Sequence, residues 1–376
     1  MRKAYQFRLN PSHHQRTLLL KTLDACRWVY NETLAVRKTT WEQEKKTLSL
    51  YESNKLLTGW KVEKPELIEV HSQVLQNVQA RVDLAFQAYF RRVKAGQTPG
   101  YPRFRGRGRY DSITFKQSGF SISEKKLVLS KIGAVKIVLH RPMEGQVKTL
   151  TVRRDRVGNW YACFACEVPE HPLSMCESVV GVDVGLESFI TLSNGEKVAN
   201  PRFFRKDELG LAKAQRCMAK AEKGTPERGK RRKGVAHIHQ RIANRRKDFS
   251  HQLSRQLVNT YGVIVFEKLN EQGMMHNHRL AKSIGDAAWR QLIQYSMYKA
   301  EDAGRVVRLV DPKGTSQRCS CCGMVVDKSL SVRVHDCPSC GLKIDRDENA
   351  ALNILALGLE SLGTIRRSHA AFAAVE

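Results

Sequence analysis

The chain has 376 residues with 41% hydrophobic content, enough for two or three domains with substantial cores. Its 64 Lys+Arg against 37 Asp+Glu leave a formal charge of +27, a self-repulsion that a polyanion would relieve. Nucleic acid is therefore the expected partner, bound with a steep dependence on salt. The sequence after Met1-Arg2-Lys3 is polar and the longest apolar runs, such as Val263–Phe266, are strand-sized. The expectation is a cytoplasmic protein that is neither exported nor membrane-bound. Five of the ten cysteines crowd into Cys319–Cys340, which favours metal binding in a reducing compartment over a disulfide scaffold.

In chain order, Ala4–Leu9 predicts a short strand, and Asn10-Pro11-Ser12 opens a helix with Ser12 and Gln15 spaced as a capping box. Leu19, Leu23, Cys26, Tyr30 and Leu34 recur at helical spacing, as do Val74, Val78, Val82, Phe86, Tyr89 and Val93. Such stripes are bundle core, which leaves the polar faces for function. The stretch from Gln97 to Phe104 breaks the helix as a linker, and it continues with arginines interleaved with aromatics. Tyr101, Arg103, Phe104 and Arg105 suit phosphates and unstacked bases, although a solvated basic loop has the same composition. From Ser112 to Pro169 the pattern alternates in period two, which predicts an antiparallel sheet or small barrel.

At Val179 the texture changes to a buried strand through Gly185, then Phe189–Leu192, a turn at Ser193-Asn194-Gly195, and Lys197–Ala199. Phe203 to Tyr261 reads as a basic helical hairpin with no acidic residue between Arg228 and Lys247. Arg241 and Arg245 share one face of it and are expected to track a phosphate backbone. Val263–Glu267, a helix around Ala287–Ala303, and Arg305–Asp311 follow. After about Gly358 the sequence suggests a poorly ordered tail.

Three isolated acids stand out. Asp183 interrupts an apolar strand between Gly181 and Gly185, and Glu267 ends another. An unpaired carboxylate is costly to bury, so such an acid has a partner or a metal. Glycine beside it lets a ligand come close to the backbone. A third acid, Asp345 or Asp347, opens an apolar helix, where either could be no more than an N-cap. Strand-acid, strand-acid, helix-start-acid is the layout of the RNase H/RuvC fold, whose carboxylates hold two divalent ions for phosphodiester chemistry. Magnesium, or manganese in its place, fits such oxygen ligands.

The cysteines are a sharper signal. Cys319-x2-Cys322, fourteen residues, then Cys337-x2-Cys340 is the spacing of a structural zinc ribbon, with Gly323 and Gly341 after the second cysteine of each pair. Cys321 lies between ligands and is not expected to bind, and His335 is a weaker substitute. Cys163 and Cys166 sit three apart on a predicted strand, hence on opposite faces, and read as core residues.

With these motifs the chain resembles the TnpB (OrfB) family of insertion-sequence nucleases, relatives of type V CRISPR effectors. The matching strings are Gly181-Val182-Asp183-Val184-Gly185, Val265-Phe266-Glu267-Lys268-Leu269-Asn270, Asn277-His278-Arg279-Leu280-Ala281 and Gly314-Thr315-Ser316-Gln317. Asp345-Arg346-Asp347-x-Asn349-Ala350-Ala351-x-Asn353 closes the set, and Tyr5-x-Phe7-Arg8-Leu9 and Pro99–Phe104 also fit, so the likeness spans nearly the whole chain. The resemblance implies a multidomain α+β protein. A β-barrel wedge over 1–10 and 96–172 is interrupted by a helical recognition lobe over 11–95. A RuvC-like mixed α/β nuclease domain over 173–318 and 341–358 carries the zinc ribbon 319–340, with 359–376 as the tail.

It further implies an RNA-guided, divalent-metal-dependent DNA endonuclease with Asp183, Glu267 and Asp347 as catalytic magnesium ligands and Asp345 as runner-up for the third. A guide RNA from the element's end and a target double-stranded DNA are the implied partners, with one protein per guide RNA. The protein reads a short motif and base pairing reads the rest. Ser72, Gln73, Gln76 and Asn77 are the candidates for motif reading, since amides can pair with adenine. An RNA-guided regulator without cleavage and a transposase acting on element ends are the alternatives. The intact acidic trio disfavours the first, and the second would need a strand-transfer nucleophile system that the sequence does not suggest.

Overall fold

The computed structural model describes residues 1–329 and 332–373. The chain divides into two compact units, Met1–Pro169 and Glu170–Glu376.

In the first unit β1 (Arg2–Asn10) runs to the cap of α1 (His13–Glu44). There Ser12 Oγ accepts from the Gln15 N–H while Gln15 Oε1 accepts from the Ser12 N–H, which completes the expected capping box. A second helix α2 (Leu50–Glu63), a 3-10 turn at Pro65–Glu69 and α3 (Ser72–Lys94) follow. Six strands come next: β2 (Ser112–Phe115), β3 (Phe120–Ser123), β4 (Lys126–Leu129), β5 (Gly133–Val138), β6 (Gln146–Arg154) and β7 (Trp160–Glu167). They and β1 form a seven-stranded antiparallel sheet in the order β2-β6-β7-β1-β5-β4-β3. Its edge strands β2 and β3 do not pair, yet the rings of Phe115 and Phe120 stand 6.3 Å apart, so the expected barrel is nearly closed.

The helices and the sheet share one core, in which Leu19, Tyr30 and Val78 pack with Phe7, Leu150 and Phe164. The α1 stripe is buried throughout, but the α3 stripe is buried only through Val82, and Val93 is exposed. On β7 Cys166 is buried and Cys163 only partly so, as opposite faces require.

The second unit begins with β8 (Val179–Val184), β9 (Ser188–Leu192) and β10 (Lys197–Ala199). The hairpin α4 (Phe203–Lys220) and α5 (Pro226–Thr260) then leads to β11 (Val263–Glu267). Three helices, α6 (Glu271–Met274), α7 (Ala281–Ala287) and α8 (Trp289–Asp302), precede β12 (Val306–Val310). A small hairpin of β13 (Val334–Asp336) and β14 (Lys343–Asp345) enters the last helix, α9 (Arg346–Ala373).

The main sheet has the order β10-β9-β8-β11-β12, with β8, β11 and β12 parallel and the rest antiparallel. Each parallel step needs a long crossover, which the helices supply. Alternation along β11 gives the sheet two covered faces: Ile264 and Phe266 join the core with Leu257 and Leu292, while Val265 packs with Ile354 of α9. Helix α9 continues past Gly358 to Ala373, so the segment expected as a tail is helical to that point, and residues 374–376 lie outside the described ones. Its run of Ala, Leu and Glu holds good helix formers without a proline. Among the described residues no helix is long and apolar enough to cross a membrane.

Candidate metal centres

Register and packing bring the acids together. Strands β8 and β11 are parallel neighbours with Val182 beside Phe266, so Asp183 and Glu267 are the next residues on adjacent strands. Helix α9 lies against β8 at a close approach: a Cβ on Gly181 would stand 2.0 Å from the Ala351 carbonyl oxygen. What comes close at Gly181 is thus the chain's own helix, not a ligand. That approach carries the first turn of α9 toward Asp183.

The electrostatics report the convergence. Burial pushes the Asp183 carboxyl well above the ordinary range, and the charges of Glu267 and Asp347 push it further, against a smaller pull from Arg346. Burial alone raises Glu267, 8% exposed, to about 7. Like charges held together in a partly desolvated site favour a bound cation.

Asp345 and Asp347 separate clearly. Asp345 Oδ1 accepts from the backbone N–H groups of Asp347 and Glu348, which makes it the N-cap of α9. Its other oxygen pairs with Lys197 Nζ at 2.7 Å. Burial raises the Asp345 carboxyl, but Lys197 and the two N–H donors outweigh it and hold it low. Asp347 has no such engagement: Arg333 and Arg346 stand 3.7 and 3.6 Å from its oxygens, beyond hydrogen-bond length. Asp347 thus carries two longer arginine ion pairs, whereas Asp345 carries the helix cap and the short lysine contact.

The four thiols form a tighter group. Cys319, Cys322, Cys337 and Cys340 present sulfurs that all lie within 4.8 Å of one another. Cys319 and Cys340 are 3.6 Å apart, and Cys322 and Cys337 3.5 Å. Tetrahedral thiolates on one zinc ion would be about 3.8 Å apart. Each pair closes a knuckle: Gly323 N–H donates to the Cys319 carbonyl and Gly341 N–H to that of Cys337, with φ of 78° and 71° at the two glycines. The backbone N–H of Cys340, against burial, brings the Cys337 thiol down to about 7. Cys321 is exposed and His335 is bonded to Lys328, so neither joins the group. Among the described residues no set of carboxylates is as compact as these thiols.

Two asparagines that the sequence motif contains, but to which it gave no role, join the centres. Asn349 Nδ2 donates to the Arg318 carbonyl at 2.8 Å, and its Oδ1 accepts from the Ser320 N–H at 2.9 Å. Asn353 Nδ2 reaches the carbonyls of Thr315 and Arg318 at 2.8 and 2.7 Å. The first knuckle is thereby fastened to the helix that carries Asp347. Their i,i+4 spacing was the available signal, but the partners lie about thirty residues away.

The other predicted residues are spread over the chain. Ser72 accepts from Lys61, Asn77 from Arg81, and Gln73 Oε1 from the N–H groups of Gln117 and Ser118, while Gln76 is exposed. Tyr101 packs edge-on to Phe86 and Tyr89, with Arg103 and Phe104 exposed beside it. Arg105 lies over the Tyr30 ring at 5.4 Å. Arg241 and Arg245 both bind Asp207 of α4, the latter at 3.1 Å. Much of their charge therefore braces the helical hairpin.

Fold and site together define a basic protein whose α/β unit couples a carboxylate centre to a four-thiol ribbon. Family models described as "Helix-turn-helix domain", "Probable transposase" and "Cas12f1-like, TNB domain" match residues 1–46, 163–278 and 289–354. A protein of Streptomyces pristinaespiralis, provisionally named RNA-guided DNA endonuclease, is 37% identical over 96% of this chain and 90% of its own length. InsQ of Escherichia coli K12, of the same provisional name, is 30% identical over 95% and 92%. The chain belongs to the TnpB/OrfB family. A chain from a cryo-EM structure of a Cas12f1–sgRNA–target DNA complex shares the fold, with a TM-score of 0.59 at 15% identity over 91% of this chain and 83% of that one.

Proposed function

We propose that the protein is an RNA-guided DNA endonuclease of an insertion sequence, with a RuvC-type site of Asp183, Glu267 and Asp347. The observation that carries this reading is the placement of Asp183 and Glu267 as next residues on adjacent parallel strands, with the helix that bears Asp347 packed closely on β8. Those residues fit magnesium or manganese. Bound there, such ions supply the positive charge that stabilises the attacking and leaving oxygens of phosphodiester hydrolysis.

The chain's own part is positional. Asp183 and Glu267 project from adjacent strands of a rigid sheet, and Asp347 from a helix turn fixed by the Asp345 cap. Arg333 and Arg346 beside Asp347 add charge that faces an incoming phosphate. Water loses a proton as it bonds to phosphorus, and the ester oxygen whose bond breaks leaves and takes one up; the two DNA strands pass in turn through the one site. The four cysteines hold a structural zinc ion, which stiffens the ribbon against α9.

Positive charge over both units suits a guide RNA from the element's end and a double-stranded DNA target, one protein per guide, in the cytoplasm. Among the motif-reading candidates Gln76 is favoured, because Gln73 and Asn77 are already bonded within the protein. Tyr101, Arg103 and Phe104 remain the candidates for base and phosphate contact. The test is to purify the protein from cells carrying its native locus, sequence the bound RNA, and assay matched DNA with magnesium. One discrete RNA from the element's end and magnesium-dependent cutting are expected. Heterogeneous cellular RNA without cutting would overturn the reading.

A further inference from the structure

A cavity of about 500 Å³ adjoins the carboxylate centre, with Glu267 in its wall. Its size is that of a small-molecule site, and its lining divides by chemistry. Met275, Met297 and Leu309 line it although each is more than 40% exposed, a set of large apolar side chains left uncovered beside a charged centre. Lys268 and Arg290 also line it and are exposed, and neither makes an ion pair among the described residues. The Arg290 backbone N–H is fixed by Glu271 Oε1 at 2.8 Å, so the start of α8 is anchored while the guanidinium stays available.

The geometry points to a subsite for the nucleotide next to the scissile phosphate, with Arg290 on the neighbouring phosphate and the methionine–leucine wall under sugar and base. This rests on the reading of Asp183, Glu267 and Asp347 as the cleavage site. Glu267, at the C-terminal end of β11, belongs to both the pocket wall and the acidic group, so a strand crossing that end of the sheet meets both. Arg290 is a cation with several donors in a planar fork, the group that best meets a phosphate. The apolar wall is built from unbranched, polarizable methionines that adapt to different shapes. Such a wall holds any base, as an enzyme requires when base pairing with RNA has already chosen the sequence. Arg290 is accordingly a positioning residue for the strand being cut.

The experiment uses the full ribonucleoprotein and guide-matched DNA in which single phosphates near the cut are replaced, one at a time, by uncharged methylphosphonate. Wild type is expected to slow about tenfold or more at one linkage beside the scissile one. Arg290→Ala is expected to slow by a similar factor on natural DNA and to be indifferent to that same replacement, with Arg290→Lys recovering part of both. Base changes at that nucleotide should alter the wild-type rate less than threefold or so, since no base edge is read. Arg290→Ala cutting natural DNA at the wild-type rate, or remaining as sensitive as wild type to every replacement, would overturn the subsite. Asp183→Ala is run in parallel. If it cuts normally the site reading itself fails, whereas an inactive Asp183→Ala with an unaffected Arg290→Ala removes only the subsite.

Discussion

Asn349 Nδ2 donates to the Arg318 carbonyl at 2.8 Å, tying the residue before Cys319 to the residue two positions after Asp347. The ribbon and the acids are thus parts of one mechanical unit. Asn349 is fully buried. Its change to alanine leaves the Arg318 carbonyl with one donor fewer and the Ser320 N–H without its acceptor, at a cost of about 1–3 kcal/mol. Asn349→Ala should keep its zinc, since all four thiols remain, yet melt lower and cut about tenfold more slowly. Metal analysis, a melting curve and a cleavage rate on the same preparation check this.

The close approach at Gly181 makes a harsher prediction. A methyl there would lie 2.0 Å from the Ala351 carbonyl oxygen, so α9 must move off β8 or the sheet must distort. Gly181→Ala is expected to lower stability by about 3 kcal/mol or more and to abolish cutting. A variant with wild-type melting would show that α9 does not sit as described.

These two residues show what sequence could and could not tell. Asp183 and Glu267 were legible because an acid inside an apolar strand needs an explanation, and the thiols because their spacing is that of two knuckles. Asp345 and Asp347 lie two residues apart at a helix start, and the Lys197 contact and the cap that give them different surroundings come from the fold. Helix α2 was not anticipated, since its buried face is only Ser53, Leu57 and Trp60, with no apolar repeat. The α3 stripe runs past the end of its covering, which depends on distant chain and leaves no local mark. The pairing of Arg241 and Arg245 with Asp207 spans more than thirty residues of chain and likewise leaves no local mark.

Protonation and metal binding should compete. Glu267 is raised from an ordinary 4.5 to about 7. Between those values the unfolded chain has released this proton and the folded, metal-free protein still holds it, so raising pH favours unfolding. The stability contributed by protonated Glu267 is full below 4.5 and lost as pH rises through about 7. Magnesium needs the ionised form, so its stabilising effect should grow from pH 6 to pH 8. Melting temperatures with and without magnesium at several pH values test the sign. Glu267→Gln should reduce the slope of the metal-free curve, leaving the part due to the raised Asp183 carboxyl, and remove most of the magnesium effect.

Zinc should matter for shape more than for chemistry. Cys337→Ser removes one ligand from a buried position. Zinc loss, a lower melting point and loss of cutting are expected together, with the magnesium concentration for half-maximal rate little changed in the residual activity. A well-folded, zinc-free variant with full activity would separate the ribbon from the acids.

The most direct test of the central claim compares wild type with Asp183→Ala on one guide-matched duplex, recording binding and magnesium-dependent cutting in parallel. The variant is expected to bind guide and target as wild type does and to lose cutting by about a thousandfold or more. Cutting at the wild-type rate, with binding intact, would show that the carboxylates gathered around Asp183 are not the site of cleavage.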